Sequence, residues 1–270
     1  MCARRASIEE SLLSFQTEFN LNPSQPLFKI TYKSSPIWPI SSSVSDHKKI
    51  TRIAILDSSF NPPTNAHYHL IVRSVTNIFF QNDKPIIIQT PEGRQQIKEQ
   101  GLEFFDSCLL LYATKNADKI LSSSDANHVD RLLMMETLAS HIQSTAPSDT
   151  HFTALKNLAI IYLDNFHSTL LWDMIQEGYD GEEAEEQFYQ NEIVREIIGI
   201  EGEKIIRIKL DNEIAKISST RVRDIVRNEL RVKNKESTKE QNKVQSDLLE
   251  LCPEPIVEFM IQKGLYRKEQ

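Results

Sequence analysis

The sequence has few cysteines, no long apolar run and no excess of positive charge, and each deficit removes a class of function. Cys2, Cys108 and Cys252 are the three cysteines, with no CxxC and no Cys/His spacing of the kind that grips a metal. Thiols so scattered read as reduced groups, two of them in apolar surroundings, in a cytoplasmic or nuclear protein. No apolar run approaches the ~18 residues that cross a bilayer, so no membrane partner is expected. Lys and Arg number 31 against 38 Asp and Glu, leaving a net charge of −7. A nucleic-acid binder needs a clustered positive surface, so none of that class is expected either. A local basic cluster on an acidic protein can still take a small anion. The opening MCARRASIEESLLSF places Glu9 and Glu10 behind its two arginines, whereas a transit peptide is poor in acid; it reads as a weak helix or a frayed end.

What is present is enough for a core. A length of 270 residues with 40% hydrophobic content fits one large domain, or a domain plus extensions. Residues 1–49 read as an N-terminal extension, partly ordered, whose Ser/Pro-rich stretch TYKSSPIWPISSSVSDHKK dictates no regular structure. From residue 50 to 270 short apolar runs alternate with helical patterns. RIAIL, SCLLLYAT, LAIIYL and KIIRIKL read as buried strands; TNAHYHLIVRSVTNIFF, VDRLLMMETLASHI, STLLWDMIQ and SSTRVRDIVRNEL read as helices. That alternation predicts a single α/β domain, a doubly wound parallel sheet with helices on both faces. EGRQQIKEQGLEFFD intrudes before the second strand. The acidic stretch at residues 179–192 reads as a solvated face, and RVKNKESTKEQNKVQSD as a loop or loose helix. CPEPIVEFMIQKGLY reads as a closing helix, with Pro255 in its first turn and Gly264 at its C-cap.

The segment RIAILDSSFNPPTNAHYHL carries the first chemistry. Ligands of a doubly wound sheet sit beyond the carboxyl ends of its strands, and backbone N–H groups at the next helix start favour an anion. Pro62 and Pro63 fix the turn. Thr64 and His67, three apart, share one helical face, and a histidine there can donate to phosphate and charge readily near neutral pH. On composition alone such a histidine is as often a cap or surface residue as a ligand contact. His69, two positions on and rotated away, is assigned to the surface.

SSFNPPTNAH resembles the T/HxGH signature of the nucleotidylyltransferase superfamily, closest to the GSFNPxTxxH form of nicotinamide-mononucleotide adenylyltransferases and their fungal relatives. ISSTRVR, residues 217–223, resembles that superfamily's ISSTxxR, and the closing KGLY resembles the end of its chains. The resemblance spans roughly residues 53–266. It implies a Rossmann-like nucleotidylyltransferase fold and an enzyme of NAD biosynthesis that transfers AMP from ATP to nicotinamide mononucleotide, giving NAD and pyrophosphate. Mg²⁺ would be carried on the ATP phosphates, with no metal ligand on the protein. By resemblance His67, Thr64 and Arg223 are the catalytic residues, and Ser58, Ser59, Phe60, Lys119, Ser218, Ser219 and Thr220 bind the nucleotide. Lys115 rivals Lys119. Arg131 resembles an arginine common in the next helix, though an exposed helix charge fits it equally. Arg221 reads as a surface charge.

The second motif also makes sense without the resemblance. Ser218, Ser219 and Thr220 offer hydroxyls and N–H groups at a helix start, and Arg223 lies one turn inside, where a guanidinium forks onto phosphate oxygens. The chain departs from the family after its third strand, where a GxDT turn is replaced by NFHS at residues 165–168. His167 cannot act as a pure acceptor for ribose hydroxyls as an aspartate does. The strand that usually follows is replaced by acidic sequence. Two alternatives stay open: nucleotidyl transfer to another phosphorylated acceptor, or a weakly catalytic ATP-binding protein.

Overall fold

A computed structural model of the chain describes residues 2–21, 28–36, 38, 52–82, 84–88, 102–113, 125–147, 150–163, 211–229 and 238–267. Along these run α1 (Cys2–Leu21), β1 (Phe28–Lys33), β2 (Ile53–Ser58), α2 (Asn65–Asn77), β3 (Ile78–Gln81), β4 (Lys84–Ile87), β5 (Ser107–Ala113), α3 (His128–Thr145), a 3₁₀ turn (Thr150–Leu155) and β6 (Leu158–Leu163). Then follow α4 (Asn212–Ala215), α5 (Ser219–Glu229), α6 (Thr238–Leu251) and α7 (Glu254–Lys263).

The result is a mixed α/β architecture with a mostly parallel central sheet. Its described strands run in the order β1-β6-β5-β2. β2 pairs in parallel with β5, Ile53 opposite Ser107, and β5 with β6, Cys108 opposite Leu158. β1 joins β6 antiparallel. The inner strands are apolar runs because both their faces are covered: Cys108, Leu109, Leu110 and Tyr112 on β5 are buried, as are Leu158, Ala159, Ile160 and Tyr162 on β6. β2 alternates instead, with Ala54 buried and Ile55 exposed. α2 links β2 to β5 in sequence and α3 links β5 to β6. α3 buries Leu132, Met134, Met135, Leu138, Ala139 and Ile142 and, with them, the charged Asp130 and Arg131, while its far end exposes Ser140, Ser144 and Thr145.

One segment differs from the sequence reading, and two that it left between helix and irregular chain are helical. The opening segment, read as a weak helix or a frayed end, is a twenty-residue helix. Ile8, Leu12 and Phe15 fall on one stripe and are buried; the Phe15 ring meets Tyr162 edge-on at 5.1 Å. Arg5 bonds Asp130 of α3 at 2.6 Å, and Arg4 bonds Glu136. The helix that begins at Asn65 stops at Asn77, and the IFF expected to continue it opens β3, paired antiparallel with β4. Asn82, at φ 50°, makes the turn between them. Glu103 bridges Phe80 through backbone bonds of 2.8 and 2.9 Å in both directions. The polar segment read as a loop or loose helix contributes Thr238–Leu251 as α6. α7 has Pro255 in its first turn and Gly264 as a left-handed C-cap at φ 64°. KIIRIKL, STLLWDMIQ and the acidic residues 179–192 lie outside the described residues.

Candidate functional site

β2 ends at Ser58 and α2 begins at Asn65, so the turn between them leaves the carboxyl end of a parallel strand. Phe60 is buried at φ 45°, the left-handed region that bulky side chains avoid at a cost of roughly 1–3 kcal/mol. Asn61–Pro62 is cis, and Asn61, Pro62, Pro63 and Thr64 are all buried. A left-handed phenylalanine such as Phe60 persists only where surrounding structure holds it.

Thr64 is the N-cap of α2, extended at φ −125°, ψ 171°. Its backbone N–H donates to His67 Nδ1 at 2.9 Å, and its Oγ1 lies 2.8 Å from the same nitrogen. A backbone N–H can only donate, so Nδ1 is the bare acceptor. Nε2 then carries the proton and donates to Ser58 Oγ at 2.9 Å. The Phe60 ring lies against the imidazole, centroids 4.9 Å apart. Burial lowers the His67 pKa to about 4. The expectation that His67 charges readily near neutral pH is therefore corrected: the ring is a neutral donor with a fixed tautomer. Thr64 is fully buried and its hydroxyl faces His67.

The second motif meets the first at the turn. Ser219 Oγ donates to the Pro62 carbonyl at 2.7 Å, across 157 residues of sequence. Arg223 Nη1 donates to the Asn61 carbonyl at 2.5 Å, and its Nη2 to Thr220 Oγ1 at 3.1 Å. Burial lowers the Arg223 pKa, opposed by Asp125. Ser218 accepts from the Arg221 N–H at 3.2 Å and so caps its own helix, while Arg221 is exposed as expected. Asn65 Nδ2 reaches the Leu249 and Glu250 carbonyls at the end of α6.

Ser58, Phe60, Thr64, His67, Ser219, Thr220 and Arg223 are thus brought together, and Ser59 lies half-buried on the same turn. His69 sits apart, edge-on to Tyr68 at 5.2 Å. Lys115, Lys119 and the 165–168 turn lie outside the described residues. Arg131 is buried, not an exposed helix charge. Its Nε donates to the Ala126 carbonyl at 2.9 Å, and its buried Nη2 has no hydrogen-bond partner among the described residues. Arg227 pairs with Asp125 at 2.6 Å. Two contacts escaped the sequence reading. The Tyr266 hydroxyl donates to Asn61 Oδ1 at 2.7 Å, and Tyr112 bonds His128 Nδ1 at 2.6 Å. KGLY carried the first as a resemblance without a role; nothing in the sequence signals the second.

Among the described residues no group of three His, Cys, Asp or Glu could hold a metal ion, and no helix is long and apolar enough to cross a membrane. Compared with known proteins, the chain matches no family model and no curated protein.

Proposed function

We propose that the chain is a nucleotidyltransferase of the nicotinamide-mononucleotide adenylyltransferase type, a doubly wound single domain that joins AMP from ATP to the mononucleotide. One observation carries the reading. Two segments that separately resemble phosphate-binding motifs, residues 58–67 and 217–223, are bonded to each other at the Asn61 and Pro62 carbonyls. Chance resemblances have no reason to meet. A phosphate oxygen of the acceptor attacks the α-phosphorus of ATP, the bond from that phosphorus to the bridging oxygen breaks, and pyrophosphate leaves with the electron pair. Such a transfer needs positioning and charge neutralisation, not a covalent intermediate.

The chain's residues suit those tasks. His67 holds a proton on Nε2 and offers it as a neutral donor; Ser58 Oγ occupies that donor until a phosphate oxygen replaces it. Thr64 keeps the imidazole turned the right way. Arg223 supplies a permanent positive charge beside the turn. Mg²⁺ would enter on the ATP phosphates.

A second reading, ATP binding with little transfer, is favoured by the self-contained bonding of His67, whose two nitrogens are already satisfied within the chain. One experiment separates the two. Purified protein is given ATP, Mg²⁺ and nicotinamide mononucleotide, and NAD and pyrophosphate are measured beside His67→Ala. The transfer reading expects equal amounts of both products and a loss of about 10²–10³ in rate in the variant, the scale of removing one transition-state donor. ATP binding without product favours the second reading, unless another phosphorylated acceptor restores pyrophosphate release.

A further inference from the structure

The turn that presents His67 and Arg223 is held from a third side. Tyr266, two residues beyond the Gly264 cap, is fully buried at φ 63°. Its hydroxyl crosses 205 residues of sequence to donate to the Asn61 side chain at 2.7 Å. Asn61 is thus gripped twice, at its side-chain oxygen by Tyr266 and at its backbone carbonyl by Arg223. Arg131 and Arg223 both lie within electrostatic reach of the phenol. Burial raises the phenol's pKa, so Tyr266 remains a donor at every working pH.

We propose that Tyr266 is a positioning residue for nucleotide binding: through Asn61 it sets where the Arg223 guanidinium lies relative to His67. This rests on the reading that residues 58–67 and 217–223 bind the ATP phosphates. The chemistry follows from Arg223's limited partners. Among the described residues its Nη1 donates to the Asn61 carbonyl, its Nη2 to Thr220 one turn back on the same helix, and its Nε is buried without a hydrogen-bond partner, so Asn61 is the hydrogen-bond anchor that reaches the guanidinium from outside α5. If the Asn61 side chain loses its anchor, its backbone carbonyl loses its fixed direction, and Arg223 with it. Among the described residues the Tyr266 hydroxyl bonds Asn61 and neither His67 nor Ser58, so its effect should fall on ATP and not on the acceptor.

The test is Tyr266→Phe in the full chain, which keeps the ring and deletes only the hydroxyl. Thermal unfolding checks the fold. ATP binding is measured by calorimetry and the steady-state constants by pyrophosphate release. The expected result is a folded variant whose ATP affinity and kcat/KM for ATP fall about ten-fold, the scale of one lost buried hydrogen bond, with KM for the acceptor unchanged. Arg223→Lys alone should show a similar loss, and the double variant should lose less than the product of the two, because both act through Asn61. If Tyr266→Phe unfolds, Asn61→Ala, which removes the acceptor instead, takes its place in the same cycle. Wild-type ATP affinity in a folded Tyr266→Phe, or losses that simply multiply with those of Arg223→Lys, would overturn the assignment alone. Failure of the wild type to bind ATP at all would overturn the parent reading and this assignment together. ATP binding without product removes the transfer reading only and leaves the affinity arm decisive.

Discussion

At the residue scale the protonation of His67 is set by its neighbours. The Thr64 N–H aims at Nδ1, so protonating that nitrogen would set two donors against each other in a buried place. The folded pKa of about 4 lies below the ordinary 6.5. A neutral-donor role then gives a definite pH profile. Rate should hold from pH 8 down through 6, with the acid limb of kcat/KM for ATP entering only toward pH 4 to 5. A mechanism that needs the imidazolium would instead lose rate as pH rises through 6 to 7. Stability follows the same pKa. Because the folded value is depressed, the unfolded chain takes up the proton first as pH falls. The contribution is complete above about 6.5 and drains away between 6.5 and 4, on the order of 2 kcal/mol once the partial exposure of the ring is allowed for. Urea titrations of wild type and His67→Gln across pH 4.5 to 7.5 check this. The wild type should lose stability faster toward acid, and parallel curves would show that His67 does not titrate in this window.

At the element scale the strands of the parallel sheet announce themselves, while the opening segment shows a weak helix without showing what it packs against. SCLLLYAT and LAIIYL are continuous apolar runs because neighbours cover both faces of β5 and β6, and runs so short favour strand over helix. The opening helix hides its role because its buried stripe is thin: Ile8, Leu12 and Phe15 face inward while Leu13, equally apolar, is exposed. A polar helix of that kind earns its place only from what it packs against, and the sequence does not say that Tyr162 waits there. IFF misled for a related reason. Its residues continue the helical spacing, yet pairing with β4 and the Glu103 bridge outcompete that local pattern. The turn before α2 is legible as a candidate site from its motif, but the left-handed Phe60 and the Tyr266 anchor are not, since they depend on backbone angles that no side chain advertises or on chain 205 residues away. The α1 packing gives its own prediction. Phe15→Ala removes a ring that is 1% exposed and meets Tyr162 edge-on. It should destabilise the protein by about 3–5 kcal/mol, the usual cost of emptying such a site. A loss under about 1 kcal/mol in chemical denaturation would mean that α1 is dispensable to the core.

At the scale of the whole molecule, net charge and local charge separate. The chain carries −7, yet Arg131, Arg223 and Arg227 gather around one turn, with Asp125 paired to Arg227 and within electrostatic reach of Arg223. Among the described residues these three guanidiniums stand against two carboxylates, Asp125 and the more exposed Asp224, so the gathering keeps a small excess of positive charge in a partly desolvated place, where a polyanion is favoured and screening is weak. The segments that build it come from separate stretches of the sequence and are joined only by folding. A ligand that bridges them therefore binds the folded state and not the unfolded one, and must raise stability by linkage. At 100 times its dissociation constant, Mg-ATP should add about 2.7 kcal/mol, raising the midpoint of thermal unfolding by about 5–10 °C. Arg223→Ala should abolish most of that shift, while a surface change such as Arg221→Ala should leave it intact. The salt dependence separates a built site from a diffuse field. A shift that survives 0.3 M KCl belongs to the buried guanidiniums, whereas one that vanishes with salt in wild type and both variants alike would place the nucleotide elsewhere and undo the phosphate reading of the turn.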